Sequence, residues 1–260
     1  MCAQRMPYGL DYDDSTSSTT TETACNDSVF SSYSPIVWIE AGEGGVSEAV
    51  TSGATVTDCQ SNTYTLSGSN ISYSETGGPN DMPSFSFSGS GYLNADSFTS
   101  ANVTTSLHVF AVATSYSYNM NGLLYMSDSS FTTLKIYKSE VNNAGFGYTD
   151  ASYSPVHTSS SGDFDGTGAI YFSEIASSSL NHAAYNANGN SSVSLSSGVV
   201  PGSFTPANFN VLKIGNDGVP NYWTGGSSSI SIILIFKDLA PAGVTAIQDE
   251  LESIYDINNY

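Results

Sequence analysis

The chain has 260 residues, of which 39% are hydrophobic and only 11% charged, and its 5 basic against 24 acidic residues leave a net charge of −19. That charge argues against binding nucleic acid or a membrane, because the Lys and Arg that would neutralise phosphates are missing. Neutral glycans, cations and protein surfaces remain as partners, and the length suits a single β-sandwich with 17 Tyr and 12 Phe as core material.

Residues 1–33 read as an arm. An acidic patch from Asp11 to Asp14 precedes a Ser/Thr tract from Ser15 to Thr21, and aliphatic residues are few. Such a segment buries too little apolar surface to offset its ordering entropy. It is either a tether that orders on a partner or a leader without a role. The opening MCAQRMPYGLDYDD has no apolar core of signal-peptide length, so export by a standard leader is not expected. Cys2, Cys25 and Cys59 are odd in number and form no C-x-x-C pair, which excludes a disulfide framework and a zinc site. Free thiols in a protein made in the cytoplasm are the favoured reading, with one Cys25–Cys59 bridge as the alternative. Sequons at Asn26, Asn70, Asn102 and Asn190 read as chance in a Ser/Thr-rich chain without a leader.

From Ser34 onward, short apolar or alternating runs predict strands at 36–39, 84–87, 107–113, 134–137, 169–175, 211–214 and 230–236. Turn signals separate most of them, as in GGPND at 77–81, NGN at 188–190 and Asp217-Gly218. Many short strands with such turns predict an all-β sandwich or barrel, and no repeat period points to a propeller or solenoid. The run Ile230 to Phe236 is far shorter than the roughly 20 apolar residues of a membrane span, so it reads as a buried strand. In PAGVTAIQDELESIYDI, Val244, Ile247, Leu251 and Ile254 fall on one helical face, with Pro241 in the first turn and Asp249, Glu250 and Glu252 outside. One amphipathic helix therefore closes the domain.

Candidate sites are sparse. Tyr116 and Tyr118 in SYSYNMNG, and Tyr222 and Trp223 beside Asn221, are aromatic residues of the kind that stack on sugars, with an amide to bond hydroxyls. Calcium is the cation that the remaining residue types suit, because it takes several carboxylate, amide and carbonyl oxygens. Asp163 and Asp165 in SSGDFDGTG, and Asn216 and Asp217 in GNDG, offer such oxygens without the full spacing of a calcium loop. Turn formation next to Gly is the bland alternative for all four. For catalysis there is no G-x-S-x-G, H-E-x-x-H, P-loop or dinucleotide fingerprint. Of the three histidines, His108 sits in an apolar strand as a structural residue, and His157 and His182 lie in polar sequence.

Four blocks carry a resemblance. SPIVWIEAG (34–42), MPSFSFSGSGYL (82–93), TSLHVFAVATS (105–115) and the stretch from Leu212 to Ile257 resemble, in order, the strands and closing helix of concanavalin-A-like, laminin-G-like jelly rolls. Members of that superfamily occur in phage structural and bacterial surface proteins. The resemblance covers roughly residues 34–257, after the arm, and implies two packed antiparallel sheets and at least one of Tyr222 and Trp223 in the core. Related glucanases use acids in E-x-D-x-x-E along one strand, to flank the scissile bond with carboxylates. The nearest match is Glu174, but Ala176 and Ser179 stand where the other acids should be, so glucanase activity is not expected. The same fold hosts lectins, hydrolases and scaffolds, so function must come from the site.

The expected function is non-enzymatic. The absent leader, the arm and the hydroxylic surface fit a virion structural protein, a phage head-decoration, fibre or tail-associated subunit. It would be made in the host cytoplasm and displayed on the virion, docked by residues 1–33 to other virion proteins, with glycans and copies of itself as further partners. A bacterial surface lectin or adhesin, at the cell surface, is the alternative, and a glycoside hydrolase ranks third.

Overall fold

The computed structural model describes residues 25, 27–42, 52–67, 71–87, 91–95, 98–100, 103–115, 121–128, 133–139, 143–149, 155–161, 168–176, 179–186, 195–198, 209–215 and 228–257. The elements in order are α1 (Ser28–Ser32), β1 (Val37–Glu40), β2 (Thr55–Thr57), β3 (Thr63–Ser67), β4 (Ile71–Ser74), β5 (Ser84–Phe87), β6 (Tyr92–Ala95), β7 (Ser106–Ser115) and β8 (Asn121–Ser127). They continue as β9 (Thr133–Ser139), β10 (Asn143–Thr149), β11 (Pro155–Ser161), β12 (Gly168–Ala176), β13 (Ser179–Asn186), β14 (Leu195–Gly198), β15 (Val211–Gly215), β16 (Ser228–Lys237) and α2 (Pro241–Tyr255).

Among the described residues two eight-stranded antiparallel sheets form a β-sandwich, one of the two architectures that the strand pattern predicts. The first runs β14-β13-β12-β7-β16-β5-β4, and the second β11-β10-β9-β8-β15-β6-β3-β2. One side of β16 is shared: β5 pairs with Ser228 to Ile230, and β1 with Ile232 to Ile235. Between them a bulge at Ser231 shifts the register against β7. The bulge gives Ser231 a separate task, since its carbonyl accepts the Ala41 N–H at 2.9 Å.

Two cores follow from this layering. Between the sheets, Ile230, Ile233 and Ile235 of β16 meet Leu124, Met126, Leu212 and Ile214 of the second sheet. On the outer side of the first sheet, Ile232, Leu234 and Phe236 pack with Phe110, Val112 and Ile170 beneath α2. The buried stripe of α2 is Gly243, Ile247, Leu251 and Tyr255, a spacing of four. Val244 and Ile254, expected on that stripe, are only partly buried at its flanks. Of the expected outer acids, Asp249 is exposed, whereas Glu252 is half-buried and accepts a bond from the Gln248 amide at 2.9 Å.

The packed structure begins before the boundary expected at residue 34. Asp27 caps α1 by accepting the Val29 and Phe30 N–H groups at 2.8 Å. Phe30 is fully buried, edge-on to Trp38 at 5.6 Å. Tyr33 lies against Gly243 so closely that a Cβ there would stand 2.9 Å from its ring. Cys25 and Cys59 are joined as a disulfide, with Cα atoms 5.3 Å apart and a separation of 34 positions in sequence. The free-thiol reading is thereby corrected: packing of Phe30 on Trp38 brings the two cysteines within reach, which the count of three could not reveal. Residues 1–24, the rest of the expected arm, lie outside the described residues.

Two carboxylates fasten loops to this frame. Asp58 accepts from the Trp38, Gln60 and Asn62 N–H groups, the Asn62 amide and the Tyr64 hydroxyl, all at 2.8–3.1 Å. Asp238 accepts from the Thr104, Thr105 and Ser106 backbone at 2.6–3.1 Å, tying the end of β16 to the start of β7. Burial raises the Asp238 pKa, but those N–H groups outweigh it and hold the carboxyl well below its usual range. Inside the sandwich, Ser173 Oγ and His182 Nδ1 lie 2.9 Å apart, and burial pushes the His182 pKa down to about 4.

Two tests follow. Cys59→Ser should lower stability by about 4 kcal/mol in urea melts, the entropic value for a loop of this length, and reductant should reproduce the loss in the wild type but not in the variant. For His182 the unfolded chain takes a proton near pH 6.5 and the folded chain does not until about pH 4. Stability should therefore be constant above pH 6.5 and fall by up to about 3 kcal/mol as pH drops towards 4. Thermal melts of the Ser173→Ala/His182→Leu double variant should show a shallower fall between pH 6.5 and 5.

Candidate functional site

Helix α2 covers the outer face of the first sheet, but the described residues place no helix over the outer face of the second. Alternation along its strands sends Tyr64, Leu66, Leu93, Leu124, Met126, Leu134, Leu212 and Ile214 inward. The half-buried residues between them, Thr65, Tyr92, Asn94, Tyr125, Lys135 and Lys213, face out. Register then lines up Thr65, Asn94, Lys213, Tyr125 and Lys135 as one row across β3, β6, β15, β8 and β9. The Lys213 ammonium sits over the Tyr92 ring at 4.7 Å and over Tyr125 at 5.5 Å, and the Lys135 ammonium lies 5.4 Å from the same Tyr125 ring. Such cation–π contacts hold flexible lysines in place while leaving their charge on the surface. Aromatic rings, amide, hydroxyl and ammonium donors thus form one flat polar platform.

Sequence reasoning missed this platform because its residues come from strands far apart in the chain. One signal was present: the eight strands of the second sheet contain Lys135, Lys138 and Lys213 but no Asp or Glu, in a chain with 24 acids.

A second polar cluster lies on the outer face of the first sheet. His108 Nε2 is 3.7 Å from Glu174 Oε1, and the Asn181 amide donates to Glu174 Oε2 at 2.7 Å. Phe172 stacks on the His108 ring at 6.3 Å. Burial lowers the His108 pKa, opposed by the nearby carboxylates of Glu174 and Asp238, and its Nδ1 has no hydrogen-bond partner among the described residues. Glycoside hydrolysis needs two carboxylates flanking a bond. The other described carboxylate near His108, Asp238, is engaged by the Thr104, Thr105 and Ser106 backbone, and Ala176 is paired with Ser179 at the end of the hairpin. The Ser173–His182 pair has a nucleophile–base distance but is sealed in the sandwich, at 0% and 5% exposure, where no substrate reaches. Among the described residues, no group of three or more His, Cys, Asp or Glu is placed to hold a metal ion.

The sequence-predicted site residues, Tyr116, Tyr118, Asp163, Asp165, Asn216, Asp217, Asn221, Tyr222 and Trp223, all lie outside the described residues. The strands that flank them do share one place. Ser115 of β7 pairs with Ser228, where β16 begins, and Gly168, which opens β12, pairs with Thr114. In the second sheet Asn121, Ser161 and Gly215 stand at the corresponding strand ends. The two ends coincide, because Phe87 pairs with Ser228 in one sheet and Tyr92 with Gly215 in the other. Gly215 takes φ +93°, and a Cβ there would stand 2.6 Å from the Phe87 ring, so only glycine lets the sheets approach here. The flanks of all three candidate segments thus converge on the end of the sandwich where Tyr92 begins the platform.

No family model and no curated protein matches the chain. Solved structures do match. The chain is similar to the botulinum neurotoxin serotype D binding domain at 13% identity and a TM-score of 0.55, over 86% of this chain and 53% of that one. It is similar to the serotype D ligand binding domain in complex with N-acetylneuraminic acid at 12% identity and a TM-score of 0.53, over 86% and 53%. A further receptor binding domain matches at 14% identity and a TM-score of 0.56, again over 86% and 53%. The chain spans about half the length of these proteins, and at such identities what it shares with them is the β-sandwich fold.

Proposed function

We propose that the chain is a non-catalytic glycan-binding sandwich, concanavalin-A-like in ancestry, displayed on a virion surface and docked there by residues 1–24. The observation that carries the binding reading is the row Thr65, Asn94, Lys213, Tyr125 and Lys135 on the outer face of the second sheet, over which the described residues place no helix. Tyr125 and Tyr92 offer ring surface to a sugar, while the amide, hydroxyl and ammonium groups around them satisfy its hydroxyls. Support from outside the chain is that a protein of the same fold is solved with N-acetylneuraminic acid. The virion part rests on the hydroxylic surface, the net charge of −19 and the Ser/Thr tract of the arm.

The Cys25–Cys59 disulfide favours a second reading, a surface lectin of a bacterium, because such bonds persist in oxidising compartments. Cell fractionation separates the two: co-purification with particles supports the virion reading, and retention on the producing cell's own surface supports the lectin.

The binding reading is tested on a glycan array. The full chain should give saturable signals, and Tyr125→Ala should reduce them at least tenfold with an unchanged thermal melt. An array blank for the wild type, with and without added calcium, would remove glycan binding and leave a scaffold.

A further inference from the structure

We infer that the binding face extends over β10 as a lane for a linear saccharide chain, with Gly145 and Gly147 as its floor. This rests on the glycan reading of the platform and adds the shape of its ligand. Strand β10 reads NAGFGYT, and its pairing with β9 sets Gly147 opposite Lys135 and Gly145 opposite Tyr137. Leu134 and Ile136 belong to the core between the sheets, so the alternate positions of β9, and the two glycines opposite them, take the outer face. On the other side His157 stands opposite Gly147 and Ser159 opposite Gly145. The platform row therefore continues from Tyr125 and Lys135 to Gly147 and His157.

Two glycines on one face of an interior strand need a reason, because glycine weakens a strand and brings no side chain to pack. A bulge, a barrel corner or the close approach of a ligand or another backbone are the usual ones. Register runs without a shift through every pair from Asn143 to Thr149 on both sides of β10, so no bulge falls there. The sheet is open, with β11 and β2 at its edges, so β10 turns no barrel corner. Close approach remains. The floor between β9 and β11 is backbone about 10 Å across, twice the strand spacing, and Asn143 and Thr149 bound it about 20 Å apart along the strand.

A peptide is not the occupant that this floor suits. Peptides join sheets through main-chain hydrogen bonds at an edge, whereas β10 is already paired with β9 on one side and β11 on the other. A sugar ring needs a flat surface for its carbon face and polar groups at its rim. Backbone supplies the surface, and the positions beside it are held by Tyr137, His157, Ser159 and Asn143, residue types that stack on sugars or bond their hydroxyls. None of these contacts calls for a charged ligand.

The test reads the full chain against linear β-1,4-glucose, β-1,4-N-acetylglucosamine and α-1,4-glucose series of one to six rings. In at least one series affinity should rise about tenfold between two and four rings. Gly147→Val should remove that rise and leave two-ring binding in place, with a thermal melt unchanged or higher, since valine suits a strand better than glycine. Tyr125→Ala should instead weaken all lengths by the same factor. Affinity that does not grow with length would overturn the lane and leave the platform standing. So would silence in all three series beside signals from other saccharides on the glycan array. A lowered melt for Gly147→Val would also overturn it, by showing that the chain's own packing needs the glycine. Silence in the series and on the array together would remove lane and platform alike.

Discussion

Burial of β16 on both faces is the constraint around which the rest of the molecule is arranged. A strand that lies at the middle of a two-layer sheet protein usually has one face in the core and one face wet. Here Ser228 to Phe236 is buried throughout, so the outer face of the first sheet needs a cover of its own. Helix α2 supplies most of that cover, and α1, fixed by Phe30 and by the Cys25–Cys59 bridge, supplies the remainder. Four layers result: helices, first sheet, inner core and second sheet. The last has no helix above it among the described residues, and its outer face carries the platform of half-buried polar and aromatic side chains.

Double burial also explains which parts of the fold were legible in the sequence. Strands β7, β12 and β16 read clearly as strands because both of their faces are apolar. The bulge at Ser231 lets the apolar run continue across a change of register without exposing a side chain. Strand β5 was legible for a related reason, since Phe85 and Phe87 alternate with Ser. By contrast TYTLS in β3 and SLNHAAYN in β13 set their apolar residues among Ser, Thr, Asn and His, and such a strand resembles a polar loop until its partner is known. The helix was found from its period, and Ile247 and Leu251 lie on the buried stripe as expected, whereas Val244 and Ile254 give way to Gly243 and Tyr255 at its ends. Gly243 and Tyr255 join the buried stripe because α1 and the first sheet press from different directions, which a single apolar face does not encode.

The platform was hidden for a different reason. A motif is visible in sequence when its residues are close along the chain, as Tyr222 and Trp223 are. Tyr92, Tyr125, Lys135 and Lys213 are neighbours only because β6, β15, β8 and β9 pair in that order, in which β6 beside β15 and β15 beside β8 are not consecutive in sequence. Likewise the Glu174–His108 contact and the buried Ser173–His182 pair arise from cross-strand register, and neither histidine is marked by its local sequence. What sequence could have offered is a count made per predicted strand, in which the absence of acids beside the retained lysines stands out.

Net charge and local charge therefore say opposite things about this protein, and the distance over which each acts decides between them. At physiological salt the field of an exposed charge decays over about 8 Å. Beyond that distance an approaching molecule meets the average surface, which is strongly negative and repels polyanions. Within it, the molecule meets the side chains of the nearest sheet, which on the second sheet are cationic and hydroxylic. A whole-chain charge of −19 thus governs solubility and long-range selection, while the strand-by-strand distribution governs what is held on contact. The two act in series: the acidic surface keeps large anions away, and the groups of the nearest sheet decide what is held on contact.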